Sequence, residues 1–295
     1  MTVHHGRVTG DVRVGTSGWV YPPWRGEFYP KGLARKRELE YLSRRVNSVE
    51  INGSFYALQR PTSFQRWHDD TPDDFVFAVK APRFVTHMKR LRDIDSPLAN
   101  FFASGLLALG PKLGPVLWQL PENFTYEPRV LADFFDRLPR TTAAAAALAG
   151  DHDERLEGRA WTKTDADRPV RHAMEVRNPA FAVPEFVDLL REKEVALVVA
   201  DTAGKWPHLD DVTADFVYLR LHGDKELYAS GYAPDALDAW ATKIRTWRSG
   251  KNVRSEHVVG KPAPYRKTGR DVYAYFDNDM KVKAPGDAIG LMGRL

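Results

Sequence analysis

The chain has 295 residues, 43% hydrophobic and 28% charged. That balance fits one large globular domain or two ordinary ones and excludes disorder, collagen and coiled coil. Cysteine is absent, which removes disulfides and thiolate metal sites, and a formal net charge of +4 is mild enough that the placement of the bases matters more than their number.

Residues 1–11 read as an N-terminal tail. No apolar run precedes Val12 and no stretch approaches the roughly 20 apolar residues of a membrane span, so a cytoplasmic location without membrane association is expected. The first β-rich run is 11–17 (DVRVGTS). A helix is expected over 36–46, a strand over 48–55, a helix over 62–68 and a strand over 75–80. A helix over 98–109, a strand over 115–120 and a helix over 128–138 follow. Segment 141–169 interrupts the rhythm with an alanine run that turns polar. It reads as an insertion at the N-terminal face of the fold. A strand over 171–177, a helix over 183–193 and a strand over 195–201 resume the pattern. The crossover 204–215 is weak and holds at most a short helix. A strand over 216–222, a helix over 236–248, a strand over 272–277 and a closing helix over 286–291 complete the chain. The stretch 251–270 carries Lys251, Arg254, Lys261, Arg266, Lys267 and Arg270 against the single acid Glu256, and reads first as a solvated loop.

Eight strand runs separated by helical stretches predict an α/β fold, a single (β/α)8 TIM-type barrel of eight parallel strands with loop insertions, occupying 1–295 as one domain. An open doubly wound sheet is the alternative. It usually carries a glycine-rich phosphate turn after its first strand, and Gly15-Thr16-Ser17-Gly18-Trp19 is not one.

Barrel chemistry gathers at the C-terminal strand ends. Those ends here carry Glu50 and Asn52, Lys80, Gln119, Glu175 and Arg177, Asp201, Arg220 and His222, and finally Asp277-Asn278-Asp279. The period-two rule puts Glu50 with Asn52, Glu175 with Arg177 and Arg220 with His222 on shared faces, with Ile51, Val176 and Leu221 facing the helices. The bland reading is a self-neutralising network in which Glu50, Glu175 and Asp201 balance Lys80, Arg177 and Arg220. The loops that follow add Trp19, Tyr21, Trp24, Phe28 and Tyr29, then Phe55 and Tyr56, then Arg83, His87, Lys89, Arg90 and Arg92. Aromatics among bases suit a polyhydroxylated, nucleotide-like or single-stranded nucleic acid ligand. The competing reading is that Trp19, Trp24 and Tyr29 merely cap the barrel.

In the order met along the chain, Gly15–Trp19 through Phe28-Tyr29-Pro30, Val49-Glu50-Ile51-Asn52 with Phe55-Tyr56, and Phe75–Lys80 with Thr86-His87 form a pattern. Leu117–Pro121, Glu175-Val176-Arg177, Tyr218–Gly223 and Tyr275–Asn278 continue it. In these motifs the chain resembles the YecE-like family, domain of unknown function 72. The resemblance implies a TIM-type barrel and no established reaction. The 141–169 insertion departs from the shortest family pattern.

Three readings of function stand. The first is an enzyme, with hydrolysis or isomerisation as reaction classes, acting by acid/base chemistry on a phosphate-bearing or polyhydroxylated small molecule or nucleic acid component. In it Glu50, Glu175 and Lys80 are the catalytic candidates. Trp19, Asn52, Tyr56, His87, Gln119, Arg177, Asp201, Arg220 and His222 are the binding candidates. The second is a non-catalytic barrel that binds nucleic acid or another polyanion, weakly. The third is a scaffold with a vestigial mouth. A divalent metal on Glu50, Glu175, Asp201 and His222 is the cofactor considered. It is disfavoured because Lys80, Arg177 and Arg220 would crowd it, and no metal ligand is assigned. Oligomeric state is left open.

Overall fold

The computed structural model describes residues 9–295, so most of the expected N-terminal tail lies outside the described residues. Eight strands close in sequence order into one all-parallel barrel. They are β1 Val12–Ser17, β2 Ser48–Ile51, β3 Val76–Lys80, β4 Leu113–Gln119, β5 His172–Glu175, β6 Ala196–Asp201, β7 Phe216–Leu221 and β8 Asp271–Phe276. Around them lie α1 Glu38–Ser43, α2 Gly53–Tyr56, α3 Pro61–Asp69, α4 Asp95–Ala103, α5 Pro128–Asp136, α6 Thr142–Ala149, α7 Pro184–Glu192, α8 Pro234–Arg248 and α9 Ala284–Met292. No helix of the described residues is long and apolar enough to cross a membrane.

Strand alternation divides the apolar residues into two cores. The inner one is filled from one side by Phe216, Tyr218, Tyr273 and Tyr275 of β7 and β8. The rest of its lining is smaller on average: Ala78, Leu117, Ala173, Ala196, Val198 and Ala200. Large rings among smaller side chains are what lets the barrel interior close without voids. The outer core lies between barrel and helices. In α8 its share is Leu237, Trp240, Ala241, Ile244 and Trp247, spaced as one helical face.

Three expectations need correction. The second strand stops at Ile51 rather than continuing to residue 55. Asn52 turns to αR and Gly53–Tyr56 coil into α2, where Ser54 Oγ donates to Lys80 O at 2.6 Å and Phe55 is turned inward. Tertiary contact with β3 thus overrides an alternating local pattern. The helix expected over 98–109 is two elements. Helix α4 ends at Ala103, Gly105 takes φ 119, and a 3₁₀ segment Leu106–Lys112 follows. The weak crossover 204–215, expected to hold at most a short helix, holds none. Its aspartates tie it down instead: Asp211 accepts from the Val259 and Gly260 amides, and Asp210 from Lys243 Nζ. The same bonds show that 251–270 is no loose solvated loop, for Arg270 is buried within it.

The insertion leaves and rejoins at the expected N-terminal face, where Thr141 bridges Pro169. Its alanines form α6, capped by Thr141 Oγ1, and pack along the flank of α4. Trp161 N donates to Ala103 O at 2.8 Å, and Ser96 Oγ donates to Asp153.

Candidate functional site

At the C-terminal end of the strands the inward positions change from aromatic to ionic. Arg220, next inward on β7 after Tyr218, is fully buried. Its guanidinium donates to Glu50 from Nε and Nη2 (3.1 and 3.0 Å), to Glu175 from Nη1 (2.7 Å) and to Asp277 from Nη2 (2.8 Å). Glu50 also accepts from Ser17 Oγ at 2.7 Å and Tyr218 Oη at 2.6 Å. Arg177 donates from Nε to Glu175 at 2.8 Å and from Nη2 to Gln119 at 3.1 Å. Desolvation works against every one of these charges. Nevertheless Arg177 and Arg220 hold the Glu175 carboxyl well below the usual range, and Arg220 holds Asp277 at about 2. These carboxylates are therefore ionised at neutral pH.

Lys80 stands apart from that network. It is buried and its Nζ lies 4.3 Å from the centre of the Phe55 ring, with no carboxylate oxygen of the described residues within 4 Å. Burial, reinforced by Arg220, pulls its pKa from 10.5 to about 8. Its neighbour His87, edge-on to Phe55 and bonded to Thr86 Oγ1, is pushed by burial down to about 4 and is neutral. His87, Gln119 and Arg177 line a shallow depression of about 440 Å³ that opens to solvent between the third, fourth and fifth loops.

The other expected residues divide. His222 is buried beside Asp277, with Nδ1 3.1 Å from the carboxylate but without hydrogen-bond geometry, and burial lowers its pKa. Asn52 sits at the top of β2 with a buried Oδ1 that has no partner. Tyr56 is exposed on the rim, with the Arg83 guanidinium 5.7 Å from its ring centre. Asp201 does not join the cluster. It alternates away from Ala200, which faces the barrel interior, and accepts from Tyr232 Oη at 3.0 Å. Asp277, the eighth-strand residue, supplies the third carboxylate instead. Trp19 is packed edge-on against Trp67, and Trp24 and Tyr29 are buried in the core between barrel and helices.

Sequence reasoning gave no site role to Ser17, Tyr218 or Trp206, and named Asp279 only as part of the end of the eighth strand. Ser17 and Tyr218 lay on inward alternations already in view. Trp206 had no local signal: its ring is 3.7 Å from the Arg177 guanidinium and walls the mouth. Asp279 is pushed up by burial, then by Asp277, to about 6.

Among the described residues no three histidine or acidic side chains are arranged to hold a metal ion. The Arg220 guanidinium occupies the point on which Glu50, Glu175 and Asp277 converge, which is where a cation bound by them would sit. Of the third-loop bases, Arg90 donates to Asn123 and Arg92 is paired with Glu127 at 2.6 Å.

Comparison with known proteins adds family but no chemistry. The model of a family described as "Protein of unknown function DUF72" matches residues 13–295. The chain is 34% identical over 129 residues to UPF0759 protein YecE of Escherichia coli K12, covering 43% of this chain and 44% of that protein. It is 31% identical over 119 residues to UPF0759 protein YunF of Bacillus subtilis 168, covering 38% of this chain and 41% of that protein. Each alignment thus spans less than half of the relative. Among solved structures, a DUF72 family protein from Thermotoga maritima matches with TM-score 0.71 at 22% identity, over 96% of this chain and 98% of that one. One from Enterococcus faecalis matches with TM-score 0.68 at 15% identity, over 96% and 95%. At such identities these likenesses speak to the fold alone.

Proposed function

We propose that this chain, which belongs to the DUF72 family, is an enzyme that uses the Lys80 amine on a small carbonyl compound carrying a phosphate or carboxylate group. The observation that carries this reading is the isolation of Lys80: a buried amine over an aromatic ring, beside a fixed cation, with a pKa near 8. An ordinary lysine at pH 7 is almost wholly protonated and cannot attack. One lowered to about 8 offers roughly a tenth of its population as free amine. The neutral Nζ adds to the carbonyl carbon and passes a proton to its oxygen; the carbinolamine hydroxyl takes up one further proton from solvent and leaves as water, and the positive charge of the resulting protonated imine is stabilised by Glu175, Glu50 and Asp277. Arg177 and Gln119, at the edge of the depression, orient the anionic group.

In this reading Glu50 and Glu175 are not proton donors. They fix Arg220 and Arg177, and Glu175 lies too far below neutrality to give up a proton there. Acid/base work falls to Lys80 and to Asp279, held near 6 on the eighth loop. The non-catalytic polyanion reading is the weaker one, because Arg90 and Arg92 are already occupied by neighbouring loop groups.

Borohydride trapping tests the proposal. The protein is incubated with a panel of phosphorylated aldehydes and ketones, reduced, digested and weighed by mass spectrometry. The expected result is a saturable secondary-amine adduct on Lys80, formed faster as pH rises through about 8. Adducts scattered over surface lysines with Lys80 untouched would reject it.

A further inference from the structure

A second cleft lies at the opposite end of the barrel from Lys80. It has a volume of about 530 Å³ and opens where the chain enters β5, β7 and β8. Five arginines line it, Arg140, Arg171, Arg191, Arg266 and Arg270, against two carboxylates, Glu194 and Asp215.

Asp215 is already engaged, while Glu194 forms no ion pair among the described residues and acts on Arg140 only at longer range. Arg171 is paired with Asp215 at 3.1 Å and with Asp271 at 2.7 Å. Arg266 reaches Asp215 only at 3.8 Å. Arg140 has no carboxylate oxygen of the described residues within 4 Å and makes one long side-chain bond, Nη2 to Phe135 O at 3.4 Å. Arg270 is 97% buried by residue, with 3% exposed, and is held only by carbonyls. Its Nη1 donates to Gly250 O at 2.6 Å and Nη2 to Pro264 O at 2.7 Å, while Nε has no partner. Burial and the nearby Arg266 and Arg191 depress its affinity for a proton, and burial does the same at Arg140. Gathering guanidinium groups without matching acids is costly unless an anion completes the set. Beside them Tyr265 lines the same cleft with a largely exposed ring. An exposed ring next to a cationic pocket is the arrangement that stacks a base while its phosphate is held.

We propose that this N-terminal cleft binds a nucleotide, with Arg140 and Arg266 on the phosphoryl oxygens, Arg270 fixed behind them as uncompensated positive charge, and Tyr265 against the base. The site is separate from the Lys80 mouth and does not depend on the reaction proposed there. Segment 251–270 supplies Tyr265, Arg266 and Arg270, which gives the most basic stretch of the sequence a purpose. It is fastened in place by the Asp211 bonds to the amides of Val259 and Gly260.

Calorimetric titration of the full chain with AMP, ribose 5-phosphate, inorganic phosphate and adenosine at low salt tests the assignment. AMP should bind best, the two other phosphates more weakly, and adenosine least. Arg266→Gln, at a half-exposed side chain that leaves the fold intact, should weaken all three phosphates by about tenfold, as loss of a charge-assisted bond does. Arg140→Gln should act in the same direction. Tyr265→Ala should weaken AMP and leave inorganic phosphate unchanged. Lys80→Met should leave AMP binding unaltered, which separates this site from the mouth. The assignment fails if AMP produces no heat at millimolar concentration. It fails equally if AMP binds Arg266→Gln and Arg140→Gln as it binds the parent, or if Lys80→Met abolishes binding.

Discussion

Arg220 and Lys80 show how one buried neighbourhood treats two cations in opposite ways. The guanidinium sits among three carboxylates and is held charged. The ammonium has no such partner among the described residues, and burial lowers its pKa to about 8. The stability consequence differs in sign. Between about 8 and 10.5 the unfolded chain holds a proton on Lys80 that the native state has released, so stability rises with pH across that window. Below about 8 the native state bears the full penalty of a buried ammonium. Lys80→Met should therefore be more stable than the parent at pH 7, by roughly 1–3 kcal/mol, with the gain fading toward pH 10.5. The acid side has the same slope, because Asp277 is also held below its ordinary value, but there it is the charged form that is favoured. Asp277, held at about 2, contributes stability that is complete above its ordinary value of 3.8 and is lost as pH falls through about 2. Urea unfolding of parent and Lys80→Met from pH 2 to pH 10.5 would show both limbs. A variant less stable than the parent at pH 7 would mean that Lys80 is well paired, contrary to the geometry. A residue that destabilises the fold and yet is buried at its mouth is better explained by chemistry than by packing.

The break between α4 and the 3₁₀ segment after it illustrates what a strand-and-helix pattern misses. Residues 98–109 are apolar enough to read as one helix, yet Gly105 has φ 119, a region closed to side chains. A Cβ there would lie 2.5 Å from Pro61 Cα, so the break is also where α3 begins against α4. Gly105→Ala should lower stability by about 2–4 kcal/mol through backbone strain and overpacking combined, without altering the mouth. Thermal unfolding measures it. A loss under about 0.5 kcal/mol would show that the contact relaxes easily. The β2–α2 junction is a second case. The run Ser48–Phe55 alternates like a strand, but Ser54 bonds the end of β3 and Phe55 turns in beneath Lys80, so the last residues coil. The ring that isolates the amine is thus placed by a departure from local propensity.

Around the C-terminal mouth the basic charge is spread rather than focused. The third-loop bases that suggested a nucleic acid stripe are divided. Arg90 and Arg92 bind loop groups, while Arg83 lies over the exposed Tyr56. Three carboxylates stand in the adjoining mouth. A single-stranded oligonucleotide should therefore bind weakly at low salt and negligibly at physiological salt, with log affinity falling linearly in log salt. Fluorescence anisotropy across a salt series gives the slope. Tight binding at physiological salt, lost in Arg83→Ala with Arg90→Ala, would restore the polyanion reading at the expense of Lys80 chemistry.

Much of this protein is legible before any coordinates. Eight β-rich runs with helices between them determine the barrel, because parallel strands need crossovers and a closed barrel buries every strand. The alternation within each run determines which residues face inward, so Glu50, Lys80, Gln119, Glu175 and Arg220 were readable as one ring at one end. What alternation cannot supply is distance across the barrel. That Asp277 rather than Asp201 completes the Arg220 cluster, that Trp206 walls the mouth from a loop without periodicity, and that Lys80 has no acid of the described residues beside it are decided by side chains distant in sequence meeting in space, 57 residues apart for Arg220 and Asp277 and 170 for Arg220 and Glu50. The same holds for the basic segment 251–270, whose arginines become a cleft only when the ends of β5, β7 and β8 bring Arg140 and Arg171 beside them. A local pattern reports the face on which a side chain lies; its partner, and so the energy of its charge, is set by closure of the barrel.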